Sequence, residues 1–164
     1  MLIGETEGGD TADATSERLW MIETNLDDAS PQIIGHVMDR VFEAGALDCY
    51  FTPVQMKKNR PGVLLSVLCG TAEKEALLKL LFTETTTLGI RSYEVERRAL
   101  RRSVVQVETQ YGPIFVKVAH LNGHVVNEMP EFEQCREAAV RAGVPLKVVE
   151  EAARVALRKT RGQQ

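Results

Sequence analysis

The feature that most constrains this chain is a switch of hydrophobic period, repeated in a fixed order from Leu19 onward. The run LWMIETNL reads as a strand. After the loop Asp27-Asp28-Ala29-Ser30-Pro31, apolar residues return at Ile34, Val37, Met38, Val41 and Phe42. That three-and-four spacing predicts a helix, capped by Ser30, opened by Pro31 and ended near Gly45. Residues 48–56 alternate as a second strand. The turn Lys57-Lys58-Asn59-Arg60-Pro61-Gly62 then reverses the chain into a third strand, VLLSVLC. Residues 72–82 form an amphipathic helix with leucines on one side, and a fourth strand starts at Ile90. The order β-α-β-β-α-β predicts a ferredoxin-like lobe over residues 19–100, in an α+β chain.

That topology has a consequence for chemistry. The loop after strand 1, the turn between strands 2 and 3, and the loop before strand 4 all emerge at one end of such a lobe. Here they are Thr24 to Asp28, Lys57 to Gly62, and Glu84 to Arg91. Lys57, Lys58, Arg60 and Arg91 can donate to phosphate oxygens, the arginines in bidentate fashion. Asn59, Thr85, Thr86, Thr87 and Gly89 add hydroxyl, amide and backbone donors. Asp27, Asp28 and Glu23, with Glu84 as a further candidate, are hard oxygen ligands suited to Mg²⁺ or Mn²⁺. The helix N-terminus beside them favours an anion as well. Singly, each segment has a plain structural reading: acids before a helix, a solvated hairpin tip, a helix exit. Jointly, they bring both signs of charge together, as phosphates bridged to a protein through a metal require. No GxxxxGK[ST] or GxGxxG run is present, which excludes the standard nucleotide-binding loops. The expected ligand is therefore a nucleotide triphosphate with a divalent metal, on a site not built from those loops.

The rest of the chain frames this reading. Residues 1–18 are rich in Gly, Thr, Asp and Glu without apolar period, and are expected to be a flexible leader of the kind that joins a domain to something larger. Residues 101–164 form a second lobe, expected to pack with the first as one unit. It carries a hairpin from 104–109 and 114–120 across Tyr111-Gly112-Pro113, then two helices from near Pro130 and Pro145 with Gly143 between them. Phe132 and Cys135 are expected to face its core. Residues 139–149 also fit the spacing of a helix-turn-helix, which makes a DNA-binding regulatory domain the alternative function. Glu150 and Glu151 on its would-be reading helix oppose phosphate contact.

With 164 residues, a net charge of −3 and 26% charged residues, the chain shows no excess of positive charge to attract nucleic acid or anionic membrane. No apolar run approaches the ~18 residues of a membrane helix, and the expectation is a cytoplasmic protein. Cys49, Cys69 and Cys135 are odd in number and lack CxxC spacing, so reduced thiols are expected. His36, His120 and His124 have no second ligand at a metal-binding spacing.

Four segments carry a resemblance to a known family: TNLDDASPQIIGHVMDRVFEAGALDCYFTPVQMKKNRPG, ETTTLGIR, YGPIFVKVA and PEFEQCREAAVRAGVPLKVV. Together they resemble the C-terminal part of the nickel-insertion proteins, LarC, of nickel-pincer cofactor biosynthesis, from about residue 23 to 155. The run MKKNRPG is specific to that family. Two departures stand out: the family's PEYEDC stands here as Pro130-Glu131-Phe132-Glu133-Gln134-Cys135, and its NIKP as Asn127-Glu128-Met129-Pro130. The resemblance implies a CTP-dependent nickel cyclometallase, a lyase of the metal-chelatase type. Such an enzyme inserts nickel into pyridinium-3,5-bisthiocarboxylic acid mononucleotide and consumes CTP to CMP and diphosphate, with Mn²⁺ or Mg²⁺. It implies that this chain is the CTP-handling domain, inactive without an N-terminal portion, and that the protein is a homo-oligomer. Nickel enters as substrate and prefers nitrogen and sulfur ligands. The expected CTP-phosphate contacts are Lys57, Lys58, Asn59, Arg60, Thr86, Thr87 and Arg91, and the expected metal ligands Asp27, Asp28 and Glu23.

Overall fold

A computed structural model describes residues 14–161 of the protein. They divide into two compact units, one of Ser16–Arg97 and one that joins residues 14–15 to those from 98 onward. The leader expected at 1–18 lies outside the described residues as far as 13. Residues 14–18 already belong to the first strand, because Ser16 and Glu17 find partners across the sheet in Glu96 (2.7 Å) and Arg97 (2.8 Å).

The first unit runs β1 (Ala14–Leu26), α1 (Pro31–Glu43), β2 (Asp48–Met56), a single 3₁₀ turn (Lys57–Asn59), β3 (Arg60–Cys69), α2 (Lys74–Glu84) and β4 (Arg91–Leu100). The strands lie in the order β2-β3-β1-β4, the ferredoxin-like arrangement, with β3 antiparallel to both β1 and β2. Ser30 caps α1 as its sequence predicts: its hydroxyl accepts from the Ile33 amide at 3.3 Å, with Pro31 in the first turn. Alternation in β1 decides which face is covered. Ile22, Thr24 and Leu26 point to the helix side, pair with Val67, Leu65 and Val63, and join Val37, Val41, Leu77 and Leu81 in the buried core. Glu23 and Asn25 therefore point to the opposite face, alongside Ser66 and Tyr50, which is in register with Ser66. Phe42, which the helix pattern assigns to the core, is instead 47% exposed at the last turn of α1.

The second unit holds β5 (Arg102–Thr109), β6 (Gly112–Leu121), β7 (His124–Pro130), α3 (Phe132–Ala142) and α4 (Leu146–Arg161). The expected hairpin is β5–β6, and β7 adds a third antiparallel strand beside β6. Asn122 (φ 52°) and Gly123 (φ 76°) join β6 to β7 in the left-handed geometry of a tight hairpin turn. Val107, Ile114, Val116 and Val118 meet Cys135, Ala138, Val149, Ala153 and Leu157 in the second core. The helix pair that its spacing alone reads as a helix-turn-helix is thus the layer covering a three-stranded sheet. Gly143 (φ 64°) ends α3 as expected. Cys135 is buried, but Phe132, the first residue of the helix, is 53% exposed.

Candidate functional site

The end of β1 sits where three backbones meet. A Cβ on Gly62 would lie 2.7 Å from the Leu26 carbonyl and 2.8 Å from the Met56 sulfur, so glycine alone lets β3 pass this close to the start of the Asp27 loop. From the helix side, buried Thr24 places its hydroxyl 2.5 Å from that of Thr87 and 3.0 Å from the Gly89 carbonyl. It thereby pins the threonine loop against β1. Each threonine has its own task. Thr85 returns its hydroxyl to the Leu81 carbonyl (2.6 Å) at the end of α2, Thr86 donates to Asp28 Oδ1, and Thr87 holds Thr24. The result is an open cleft of ≈ 310 Å³ lined by Asn25, Asp27, Asp28, Thr86, Thr87, Leu88, Gly89 and Arg91.

Opposite charges are interleaved around it. Arg60 Nη1 reaches Asp27 Oδ2 at 3.2 Å. Arg91 spans two residues of β1, with Nε on Glu23 Oε2 at 2.9 Å and Nη2 on Asn25 Oδ1 at 3.1 Å. Asp27 and Asp28 thus each have one oxygen tied to the fold, by Arg60 and Thr86, and a second with no partner among the described residues. Carboxylates oriented in this way can serve as one or two protein ligands of a divalent ion whose remaining positions go to water and phosphate. Among the described residues, no three His, Cys, Asp or Glu side chains gather as a metal-binding group.

The candidates divide accordingly. Asp27, Asp28, Thr86, Thr87 and Arg91 line one cleft, and Arg60 joins it through Asp27. Glu23 does not stand with the two aspartates. It lies on the open sheet face, accepting from Arg91 and from Ser66 (3.3 Å). Lys57, Lys58 and Asn59 form the hairpin tip, exposed and not part of the cleft lining. Lys58 (φ 60°) and Asn59 (φ 59°) both adopt left-handed backbone, uncommon for lysine. Glu84 pairs with His36 at 3.5 Å. Phe51 packs on the helix-covered core, whereas Tyr50 is 43% exposed on the open face. Asn25, Ser66 and Tyr93 were not singled out from the sequence. The cross-strand register Glu23↔Ser66↔Tyr50 reveals Ser66, and the Arg91 contact reveals Asn25.

The two departures from the family pattern have local partners. Gln134 accepts from the Phe115 amide at 2.7 Å, so its carbonyl oxygen satisfies a strand donor without a charge. Glu128 pairs with Arg161, and Met129 is 55% exposed. All three cysteines are free and buried. Burial, with Asp48 nearby, pushes the Cys49 thiol up to about 11, and burial likewise raises Cys69 and Cys135. Tyr93 is also raised, by desolvation and then by the Glu23 charge. No helix among the described residues is long and apolar enough to cross a membrane.

The model of the nickel insertion protein family matches residues 2–150. The pyridinium-3,5-bisthiocarboxylic acid mononucleotide nickel insertion protein of Thermotoga sp. (strain RQ2) is 51% identical over 129 residues, 79% of this chain and 32% of that protein. Its namesake in Thermotoga petrophila is 48% identical over 134 residues, 82% of this chain and 34% of that protein. Among solved structures, LarC2 in its apo form, the C-terminal domain of a cyclometallase involved in the synthesis of the NPN cofactor of lactate racemase, matches with a TM-score of 0.83. Identity there is 40%, over 88% of this chain and 99% of that one. The chain spans about a third of the length of these curated relatives.

Proposed function

The chain belongs to the nickel insertion protein family, and from that premise we propose that it is the domain that holds CTP with a divalent metal while nickel is inserted into the sulfur-bearing mononucleotide. The observation that carries this reading is the pair of half-engaged carboxylates. Asp27 and Asp28 line the cleft, are oriented by Arg60 and Thr86, and each keeps one oxygen without a partner among the described residues. Two such oxygens suit Mn²⁺ or Mg²⁺ already bound to a triphosphate. When bound, the metal neutralises phosphate charge and orients the phosphates. The chain's own cations complete the neutralisation, with Arg60 and Arg91 at the cleft and Lys57 and Lys58 on the adjoining tip. CTP is cleaved to CMP and diphosphate in this reading, and Thr86 and Thr87 supply hydroxyl donors to the phosphates.

Nickel is substrate here. Its positioning falls to the thiocarboxylates of the mononucleotide and to the remaining length seen in the relatives, so this chain binds CTP without inserting nickel unaided. The working protein is a cytoplasmic homo-oligomer in the same reading, with no nucleic-acid or membrane partner. Calorimetry of the purified chain with each nucleoside triphosphate, with and without Mn²⁺, tests the central point. CTP with Mn²⁺ gives saturable heat and CTP alone gives much less. A folded sample that shows no heat with CTP and Mn²⁺ refutes the proposal.

A further inference from the structure

In the second unit, α4 sends two guanidiniums to one residue of β7. Arg154 and Arg161 stand nearly two helical turns apart and so project from the same side of α4. Glu128 on β7 is in register with buried Val118 on β6, which turns its side chain toward the helix layer. Arg154 Nη1 donates to the Glu128 carbonyl, and Arg161 Nη1 donates to the Glu128 carboxylate. A single residue thus holds both arginines in place. They border an open cleft of ≈ 380 Å³, whose other walls are Val125, Val126 and Asn127. A register shift leaves Val126 as the extra residue of a β-bulge beside it, since Ala119 pairs with Asn127 and His120 with Val125.

A tie between helix and strand needs one arginine and one acid. The second guanidinium, fixed on the carbonyl of the same residue, is surplus to that task. Each guanidinium carries five N–H donors in a planar fork and spends one of them on Glu128. Glu128 is the one carboxylate among the residues lining the cleft, against two cations, so positive charge is left over. Arg158, on the same side of α4 between the two, adds to it and has no ion-pair partner among the described residues. Two forks at one opening match a tetrahedral anion with more than one negative charge. A carboxylate, with one charge and two oxygens, would engage only one of them. We propose that this cleft binds a phosphoryl oxyanion through Arg154 and Arg161, with Glu128 as its internal competitor. Glu128 orients both forks and shares Arg161 with the arriving anion. No metal is needed, which separates this site from the cleft at Asp27 and Asp28, and either can fail without the other.

The experiment follows amide shifts of the ¹⁵N-labelled whole chain as phosphate, diphosphate, CMP or acetate is added in EDTA. Ionic strength is held constant, because salt alone screens exposed charges. Phosphate and diphosphate shift residues 125–128, 154 and 161 saturably, and acetate at equal concentration does not. The CMP arm supports the site either way and fixes the source: the same shifts make an esterified phosphate acceptable, and their absence restricts the site to the free anion. Arg161→Gln weakens diphosphate about tenfold or more, the scale of a lost hydrogen bond between charged groups. Glu128→Gln does the reverse and tightens it about two- to fivefold, because the competing charge is gone. A mere structural tie would leave the anion response of both variants unchanged. The proposal is overturned by an absence of shifts, by shifts confined to the cleft at Asp27 and Thr86, or by acetate acting as well as phosphate. A Glu128→Gln protein that binds diphosphate no tighter overturns it as well. The wild-type arms decide the question even if a variant does not fold.

Discussion

The two units put their space to different uses. A cavity of ≈ 710 Å³ lies in the second unit between β5 and α4, over Val107, Val148, Ala152 and Val155. Its polar groups, among them Glu108, Glu151 and Lys159, belong to a lining built mostly on valine, alanine and long side chains. The first unit's cleft has less than half that volume, but it is lined by two polar loops, carries both signs of charge, and is joined by the hairpin through the Arg60–Asp27 pair. In the second unit the gap lies between a helix and the edge strand of a three-stranded sheet. In the first, a glycine, a buried threonine and a short hairpin bring polar loops together. Cavity size follows how elements pack, whereas chemistry follows which loops the topology delivers to one place. The comparison assigns phosphate and metal to the smaller cleft, and each prediction below can break or sharpen that assignment.

The largest effect is expected at the hairpin tip. Lys57→Ala weakens binding of CTP with Mn²⁺ by about 1.5–3 kcal/mol, the scale of a hydrogen bond to a charged group, with little change in melting temperature. Calorimetry beside a thermal melt reads both quantities. Unchanged affinity would place Lys57 outside the site and restrict the cations to Arg60 and Arg91.

A second effect of similar or smaller size follows from the close approach under Asp27. Gly62→Ala puts a Cβ against the Leu26 carbonyl and the Met56 sulfur, and the backbone contact cannot yield by side-chain rotation alone. Stability falls by about 1–3 kcal/mol in urea titration. Nucleotide affinity falls with it, because the Asp27 loop must shift. Affinity unchanged in a destabilised Gly62→Ala would detach that loop from binding.

Lys58→Gly separates local strain from function. Lysine in the left-handed region costs roughly 1–2 kcal/mol, offset in part by the greater chain entropy of glycine when unfolded. The variant is therefore as stable as wild type or more so, by up to about 1 kcal/mol, yet binds CTP less tightly. A variant that is both more stable and binds normally would make the strain a feature of the turn alone.

The smallest effect concerns the thiols and checks that neither unit hides redox chemistry. Burial keeps the neutral thiol favoured in the folded state, so the stability tied to Cys49 is complete below pH 9. It is lost as pH rises toward about 11. Disulfide-exchange reagents at pH 7 should therefore label Cys49, Cys69 and Cys135 only after unfolding. Rapid labelling of the folded chain would contradict their burial.

Much of this was legible in the sequence because period and punctuation agree. Ser30-Pro31 sets the start of α1, the alternation of residues 48–56 sets β2, and the βαββαβ order delivers the three loops to one end. β7 was harder to read. HVVNEMP leaves five of its seven residues exposed on a sheet edge and shows no clean alternation, although Asn122-Gly123 between two extended runs is a hairpin signal. Phe42 and Phe132 fit apolar spacing but sit at helix ends, where no partner element covers them. The setting of Glu23 could not be read locally at all. Its neighbours Ser66, Tyr93 and Arg91 come from two other strands, and only the cross-strand register makes them adjacent.

Paramagnetic broadening gives the most direct test of where metal and phosphate sit. With the ¹⁵N-labelled chain and CTP, substituting Mn²⁺ for Mg²⁺ should broaden the amides of Asp27, Asp28, Thr86 and Thr87 first, and then those of Asn25 and Arg91. Residues 106–110 and 148–160 should keep their line widths. Broadening centred on that second-unit cavity, with Asp27 and Asp28 sharp, would contradict the account.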